Sequence, residues 1–301
     1  MGNFFITGGC GFLGTNLAEA LKAKGHTVIK FDNLSHPSVV KDNVYGDVRY
    51  YRDLLPYMPN CDCVIHLAAQ ISVDKSIENP QETIDVNVNG TLNVLEACRK
   101  FGVKCIVASS SEIYGSSLTE FMSESHPLMP QSPYGASKVE ADRLAYSYYQ
   151  TYGMDVTIVR NFNTFGKYQR DDSYGGVIAK FTKAALAGEP LVIFGDGKQE
   201  RDYMSAEAAI SAYEFCINND LRGKAINFGS GIATQIYDIA TEIREYTQSK
   251  SPIDLIAGRK GEVQRLCANI AYANILGWQG SKSLFINDLH KYIDWVKNEK
   301  N

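Results

Sequence analysis

Short apolar runs alternate with stretches of helical period along the first half of the chain. Residues 3–7 form an apolar run of strand length, 12–24 carry helical spacing and stop at Gly25, and 27–31 read as a second strand, which together make a βαβ unit. Residues 62–67 and 103–108 are two more strands, with a long helical stretch, 81–101, between them. Residues 48–51 read as a short strand preceded by a turn at Gly46-Asp47. Residues 134–152 are helical, with Ala136, Val139, Leu144 and Ala145 at inward spacing, and 155–160 return to strand. Several of these strands are apolar throughout, so both of their faces are covered. The pattern therefore predicts a parallel sheet between two layers of helices.

Beyond Asn161 the alternation loosens. Helices are expected at 176–187, 206–217, 235–247, near 270–276 and at 283–298, with strands at 191–194, 225–228 and 253–257. This predicts a larger lobe over 1–165 and a smaller mixed lobe over 166–301, some of whose strands can return to the first. Ligands of open α/β sheets bind at the carboxyl ends of the strands, so a cleft between the lobes is expected there.

Composition narrows the partners. In 301 residues, 30 Lys and Arg face 34 Asp and Glu, a net charge of −4 that offers no basic field for a nucleic-acid backbone. No apolar run approaches the roughly 20 residues of a membrane span, and the chain opens directly into a strand, so a cytoplasmic protein without a membrane partner is expected. The seven cysteines fall mostly inside apolar runs, with neither a disulfide framework nor a metal-ligand spacing. They read as buried thiols.

The first strand runs into Thr7-Gly8-Gly9-Cys10-Gly11-Phe12-Leu13-Gly14 and then into a helix. Gly8 permits a tight turn, Gly11 lets the backbone approach a pyrophosphate, and Gly14 lets helix and strand pack closely, with the helix N-terminus facing the anion. Asp32 closes the second strand, 18 residues after Gly14, placed to accept ribose hydroxyls and to repel a 2′-phosphate. No arginine adjoins it in sequence, so NAD is favoured over NADP.

Further motifs recur in order: His66-Leu67-Ala68-Ala69, Asn87-x-x-Gly90-Thr91, Ser109-Ser110-Ser111-Glu112-Ile113-Tyr114-Gly115, Tyr134-Gly135-Ala136-Ser137-Lys138, Arg160-Asn161-Phe162-Asn163-Thr164-Phe165-Gly166 and Gly195-Asp196-Gly197 through Arg201-Asp202. With the glycine loop they resemble the extended short-chain dehydrogenase/reductase superfamily, the NAD-dependent nucleotide-sugar epimerases and dehydratases, over nearly the whole chain. The resemblance implies a Rossmann-type doubly wound α/β fold with a smaller nucleotide-sugar-binding lobe, and a homodimer built from the helices at 81–101 and 134–152, with Tyr146, Tyr148 and Tyr149 supplying surface. It places NAD against Gly8, Gly11, Phe12, Leu13, Gly14, Asp32, Asn33, Leu67, Ala68 and Ala69. The family's adenine-binding aspartate corresponds to Asp47 or Asp53. Asp53, with Leu54, is preferred because 48–51 reads as the strand before it.

Tyr134 and Lys138 are four residues apart, on one face of a helix. An ammonium and the nicotinamide's positive charge would favour phenolate and make Tyr134 a proton acceptor. In the enzymes it resembles, the lysine also holds the nicotinamide ribose and Ser110 hydrogen-bonds the hydroxyl being oxidised, commonly at C4. Glu112 follows Ser110 by two residues; Thr-Asp-Glu or Thr-Ser-Glu there marks enzymes that act at C5, where a carboxylate removes a proton acidified by the C4 ketone. Ser111 stands where the Thr-Asp-Glu dehydratases have an aspartic acid. The resemblance further gives Arg201 the substrate diphosphate, with Asn163, Val177, Ser111 and Arg259 as other substrate contacts. The expectation is a nucleotide-sugar dehydratase with catalytic Ser110, Glu112, Tyr134 and Lys138. The alternatives are a 4-epimerase, a UDP-glucuronate decarboxylase and an inactive nucleotide-binding module.

Overall fold

The computed structural model describes residues 1–35, 42–172, 175–258, 263–280 and 283–299. The first lobe opens with β1 (Asn3–Thr7), α1 (Phe12–Ala23) and β2 (Thr27–Asp32), then β3 (Val44–Tyr45), α2 (Tyr51–Leu54), β4 (Cys63–His66) and α3 (Val73–Glu78). It continues with α4 (Pro80–Ile84), a π-helical turn at Asp85–Asn89, α5 (Gly90–Phe101), β5 (Lys104–Ser110), α6 (Pro133–Tyr152) and β6 (Val156–Asn161). Thereafter come β7 (Asn163–Phe165), α7 (Val177–Ala187), β8 (Leu191–Phe194), β9 (Glu200–Ser205), α8 (Ala206–Asn218) and β10 (Ala225–Phe228). The chain closes with β11 (Ala233–Gln235), α9 (Ile236–Tyr246), β12 (Ile253–Ile256), β13 (Arg265–Leu266), α10 (Ala271–Leu276) and α11 (Phe285–Glu299).

Seven parallel strands form the main sheet in the order β10-β6-β5-β4-β1-β2-β3. Alternate residues of each strand go to opposite layers: Phe4, Ile6 and Ile65 pack with α1 and α8, while Phe5, Val64 and Val107 pack with α5 and α6. Both layers are apolar, which is why these runs lack polar alternation. The winding reverses between β1 and β4, paired through Thr7 and His66, and this opens a crevice beyond their carboxyl ends.

The second lobe is smaller and is not contiguous in sequence. β9 pairs with β7, β11 and β13, β8 pairs with β12, and α7, α9 and α11 share a core around Phe181, Ile193, Ile239 and Leu289. α8, β10 and α10 return to the first lobe, packing Ala212, Tyr213, Phe228 and Ala273 against its sheet. The division expected at 165/166 is therefore crossed by later elements.

One expected strand does not form. Residues 48–51 are a turn leading into α2, and the strand beside β2 is β3, paired Phe31 to Val44. Asp47 bends the chain: its carboxylate accepts the Arg49 N–H at 2.9 Å and its carbonyl accepts the Tyr50 N–H at 2.9 Å. The stretch 81–101 is helical as expected but is broken by the π turn. There Asn87 Oδ1 accepts the Gln70 N–H at 2.8 Å, and Asn87 Nδ2 donates to the Gln70 carbonyl at 3.0 Å and to Ser137 Oγ at 2.9 Å, stitching the loop after β4 to α6.

Candidate active site

A cleft of about 1580 Å³ runs along the carboxyl ends of the first-lobe strands and under the second lobe. At one end lies the glycine loop. Gly8 has φ +67°, and a Cβ on it would sit 2.7 Å from the Ala68 nitrogen, so the turn after β1 can close on the turn after β4 only without a side chain. A Cβ on Gly14 would run into the Gly8 carbonyl and stand 2.7 Å from Gly9 Cα, so that glycine sets how closely α1 approaches the loop. Gly8, Gly11, Phe12, Leu13 and Gly14 line the cleft where the N-terminus of α1 opens into it, an arrangement that fits a pyrophosphate.

Asp32 ends β2 at the same rim. Its carboxylate accepts from the Cys10 N–H at 3.0 Å and the Leu34 N–H at 2.9 Å, which orients it across the mouth of the loop. Leu67, Ala68 and Ala69 line the facing wall. Asn33 also lines the cleft and donates to Asp47 at 2.9 Å.

The preference for Asp53 and Leu54 is corrected. Asp47 and Val48 line the cleft and these two do not. Leu54 is wholly buried in the core, and Asp53 accepts the Asp47 N–H at 3.2 Å from outside the cleft. The misread strand is the cause: with 48–51 turning away, the cleft receives residues from before the turn. Arg49, missed in sequence, reaches the same end, where Asp47 grips its guanidinium at 2.6 Å and is held below the usual carboxylate range despite its burial.

The middle of the cleft gathers Ser110 from the end of β5, Ser111 and Glu112 from the 3-10 turn that follows, and Tyr134 and Lys138 from α6. Ser132 caps α6 by accepting the Gly135 N–H at 3.1 Å, and Pro133 fits the first turn, so Tyr134 is presented at the start of the helix. Gly135 allows this turn to lie on Glu112, since a Cβ there would come within 2.8 Å of the Glu112 carbonyl. Ser110 Oγ accepts the Glu112 N–H at 3.2 Å and shares a hydrogen bond with the Tyr134 phenol.

The expected phenolate is not what the protein alone sets up. Burial pushes the Tyr134 phenol up to about 12, the Ser110 hydrogen bond opposes this, and the Glu112 carboxylate adds to it. Lys138 donates to the Ala108 carbonyl at 2.9 Å, and burial lowers it to about 8.

Under the second lobe, Asn163, Val177 and Arg201 line the cleft. Asn163 donates to the Asp202 carbonyl at 3.3 Å and Arg201 to the Glu200 carbonyl at 3.0 Å, so both are steered by β9. Arg259 lies outside the described residues. Lys180 and Lys183 of α7 also line this end, and only helical spacing could have pointed to them. Of the three tyrosines offered as dimer surface, Tyr146 is 37% exposed, but Tyr148 is buried with its hydroxyl on Glu96, and Tyr149 packs over Gly223.

A glycine-loop crevice at the reversal of a parallel sheet, an acid closing the second strand, and a Ser, Tyr and Lys converging beyond it define the site of a dinucleotide-dependent enzyme. The sequence profile of the NAD dependent epimerase/dehydratase family matches residues 4–229, and the chain belongs to that family. It is 32% identical to a putative UDP-glucose 4-epimerase of Methanocaldococcus jannaschii, over 97% of this chain and 98% of the relative. It superposes on the UDP-glucose 4-epimerase of Thermotoga maritima, solved with UDP-glucose, with a TM-score of 0.95 and 28% identity over 99% of this chain and 100% of that one. A dTDP-glucose 4,6-dehydratase from Streptomyces venezuelae, solved with NAD bound, gives a TM-score of 0.92 and 27% identity over 99% and 98%. NAD is the cofactor of this family, and the cradle around Gly8, Gly14 and Asp32 fits it.

Proposed function

We propose that this protein is an NAD-dependent nucleotide-sugar 4-epimerase. The observation that carries the reading is the meeting of Ser110, Tyr134 and Lys138 midway along a cleft with room for a dinucleotide and a nucleotide sugar end to end. With NAD bound, hydride would pass from the sugar's C4 to the cofactor and come back to the opposite face of the C4 ketone, which inverts that carbon. Ser110 and Tyr134 hold the C4 hydroxyl, Tyr134 carries its proton, and Lys138 keeps a positive charge behind the phenol. Gly8, Gly11, Phe12, Leu13, Gly14, Asp32, Asn33, Asp47 and Val48 hold the dinucleotide. Arg201, Asn163 and Val177 hold the nucleotide diphosphate, for which the guanidinium's paired donors suit the phosphate oxygens.

The dehydratase expected from sequence becomes the second reading, because whole-length similarity does not favour it over a 4-epimerase. One feature supports it: Glu112 lines the cleft near enough to Tyr134 to act on its charge. Glu112→Gln separates the two, since it keeps the shape and removes the base. An epimerase retains turnover within about an order of magnitude, whereas a dehydratase that uses Glu112 at C5 loses elimination and the exchange of the C5 proton with solvent.

A homodimer through the outer faces of α5 and α6 belongs to the same proposal. Leu92 of α5 and Tyr146 and Tyr152 of α6 are exposed on these helices, and pairing them across a twofold axis would remove them from water.

A further inference from the structure

The glycine loop follows β1, which has β4 and β5 on one side in the sheet and β2 and β3 on the other. Neighbouring strands lie about 4.8 Å apart, so the ends of β5 and β3 each stand about 10 Å from the loop, in opposite directions. A dinucleotide with its pyrophosphate on the loop and its nicotinamide half toward Ser110 and Tyr134 therefore carries its adenosine half over the end of β3. The residues that follow β3 and line the cleft there are Gly46, Asp47, Val48 and Arg49.

Asp47 has no acceptor left for a ligand. Its Oδ1 accepts the Arg49 backbone N–H at 2.9 Å and Arg49 Nε at 3.0 Å. Its Oδ2 accepts Asn33 Nδ2 at 2.9 Å, Arg49 Nε at 3.1 Å and Arg49 Nη2 at 2.6 Å. These contacts fill the roughly four lone-pair sites of a carboxylate, and the side chain is buried. Arg49 differs: its side chain is 38% exposed, and among the described residues its Nη1 has no partner. The turn does not need this fork, because Asp47 already closes it through the Arg49 and Tyr50 backbone N–H groups. A part-exposed ion pair contributes little to stability. What the fork does is fix where the guanidinium lies.

A planar cation held at this place suits a purine, since its charge is attracted to the ring face and its plane can lie along that face. We propose that Arg49 is the adenine contact of the bound dinucleotide, and that Asp47 is the positioning residue that holds the guanidinium and does not itself hydrogen-bond the base. The proposal rests on the reading of the cleft as a dinucleotide site and is independent of which reaction the sugar undergoes.

Calorimetry with ADP-ribose, which carries the adenosine half and the pyrophosphate but no nicotinamide, reads this contact without turnover. Arg49→Gln is expected to weaken ADP-ribose and NAD alike by about tenfold. Arg49→Lys keeps the charge but loses the plane and the fork, so it is expected to recover little of that loss. Asp47→Asn is expected to cost about as much as Arg49→Gln, and Asp47→Asn/Arg49→Gln no more than either alone, because the two residues act as one unit. In protein with arginine labelled at Cδ, the Arg49 signal being assigned by its loss in Arg49→Lys, ADP-ribose is expected to move that signal upfield through the purine ring current. A merely structural role would not move it. Unchanged ADP-ribose affinity in Arg49→Gln, or losses that add in the double variant, gives the base to other groups and overturns the proposal. A loss confined to NADP assigns Arg49 to a 2′-phosphate and overturns it as well. No binding of ADP-ribose or NAD by the unaltered protein would overturn the dinucleotide reading of the cleft, and the proposal with it.

Discussion

At the scale of single residues, what was legible in sequence is what local geometry determines. Gly8, Gly14 and Asp32 sit in a strand–turn–helix–strand whose shape is set within thirty residues, and Tyr134 and Lys138 are four apart on a helix. Asp47 was misjudged against Asp53 because its exposure to the cleft depends on the turn its own side chain makes with Arg49. The protonation of Tyr134 was not legible either: the spacing shows the ammonium, whereas burial, which dominates, depends on the closed fold. If Tyr134 carries the C4 proton, Tyr134→Phe lowers turnover by roughly 10² or more with little change in NAD affinity. Steady-state kinetics beside calorimetric NAD titration checks this, and a normal rate would remove Tyr134 from the chemistry.

At the scale of elements, continuous apolar runs identified β1, β2, β4, β5 and β6, because a strand covered on both faces needs no polar positions. β9 escaped because Glu200-Arg201-Asp202 opens it with charge, and the buried acid is satisfied by distant partners: Asp202 accepts from the Ser230, Gly231 and Ala268 N–H groups at 2.7 to 3.0 Å. The π turn of 85–89 escaped because its cause is Asn87 reaching Gln70 and Ser137 from other elements. The glycines separate space from strain. Gly14→Ala puts a methyl group into the backbone of the glycine loop, so it should cost about 1–3 kcal/mol of stability and weaken NAD binding at least tenfold. Gly102→Ala meets nothing within 4 Å but must hold φ +67°, so it should cost about 1 kcal/mol and leave NAD binding unchanged. Denaturant unfolding and NAD titration of the two variants check this contrast, and equal NAD affinities would refute the packing role given to Gly14.

At the scale of the whole molecule, the sequence pointed to two lobes with a cleft between them and allowed strands to return to the first, but not which elements do so, since the return of β10 with α8 and α10 depends on long-range contacts such as the pairing of Phe228 with Asn161. No helix among the described residues is long and apolar enough to cross a membrane. The exposed apolar residues of α5 and α6 predict a dimer by light scattering at micromolar concentration, and replacement of Tyr146 and Tyr152 by Glu should give monomers. A monomeric mass for the unaltered protein would contradict this. The central claim is that hydride leaves C4 and returns to the opposite face of the same carbon with no chemistry at C5. The most direct test is mass spectrometry and NMR of the product formed from UDP-hexoses in deuterated water. The account predicts the C4 epimer, unchanged in mass and free of deuterium at C5; a keto product lighter by one water and deuterated at C5 would contradict it.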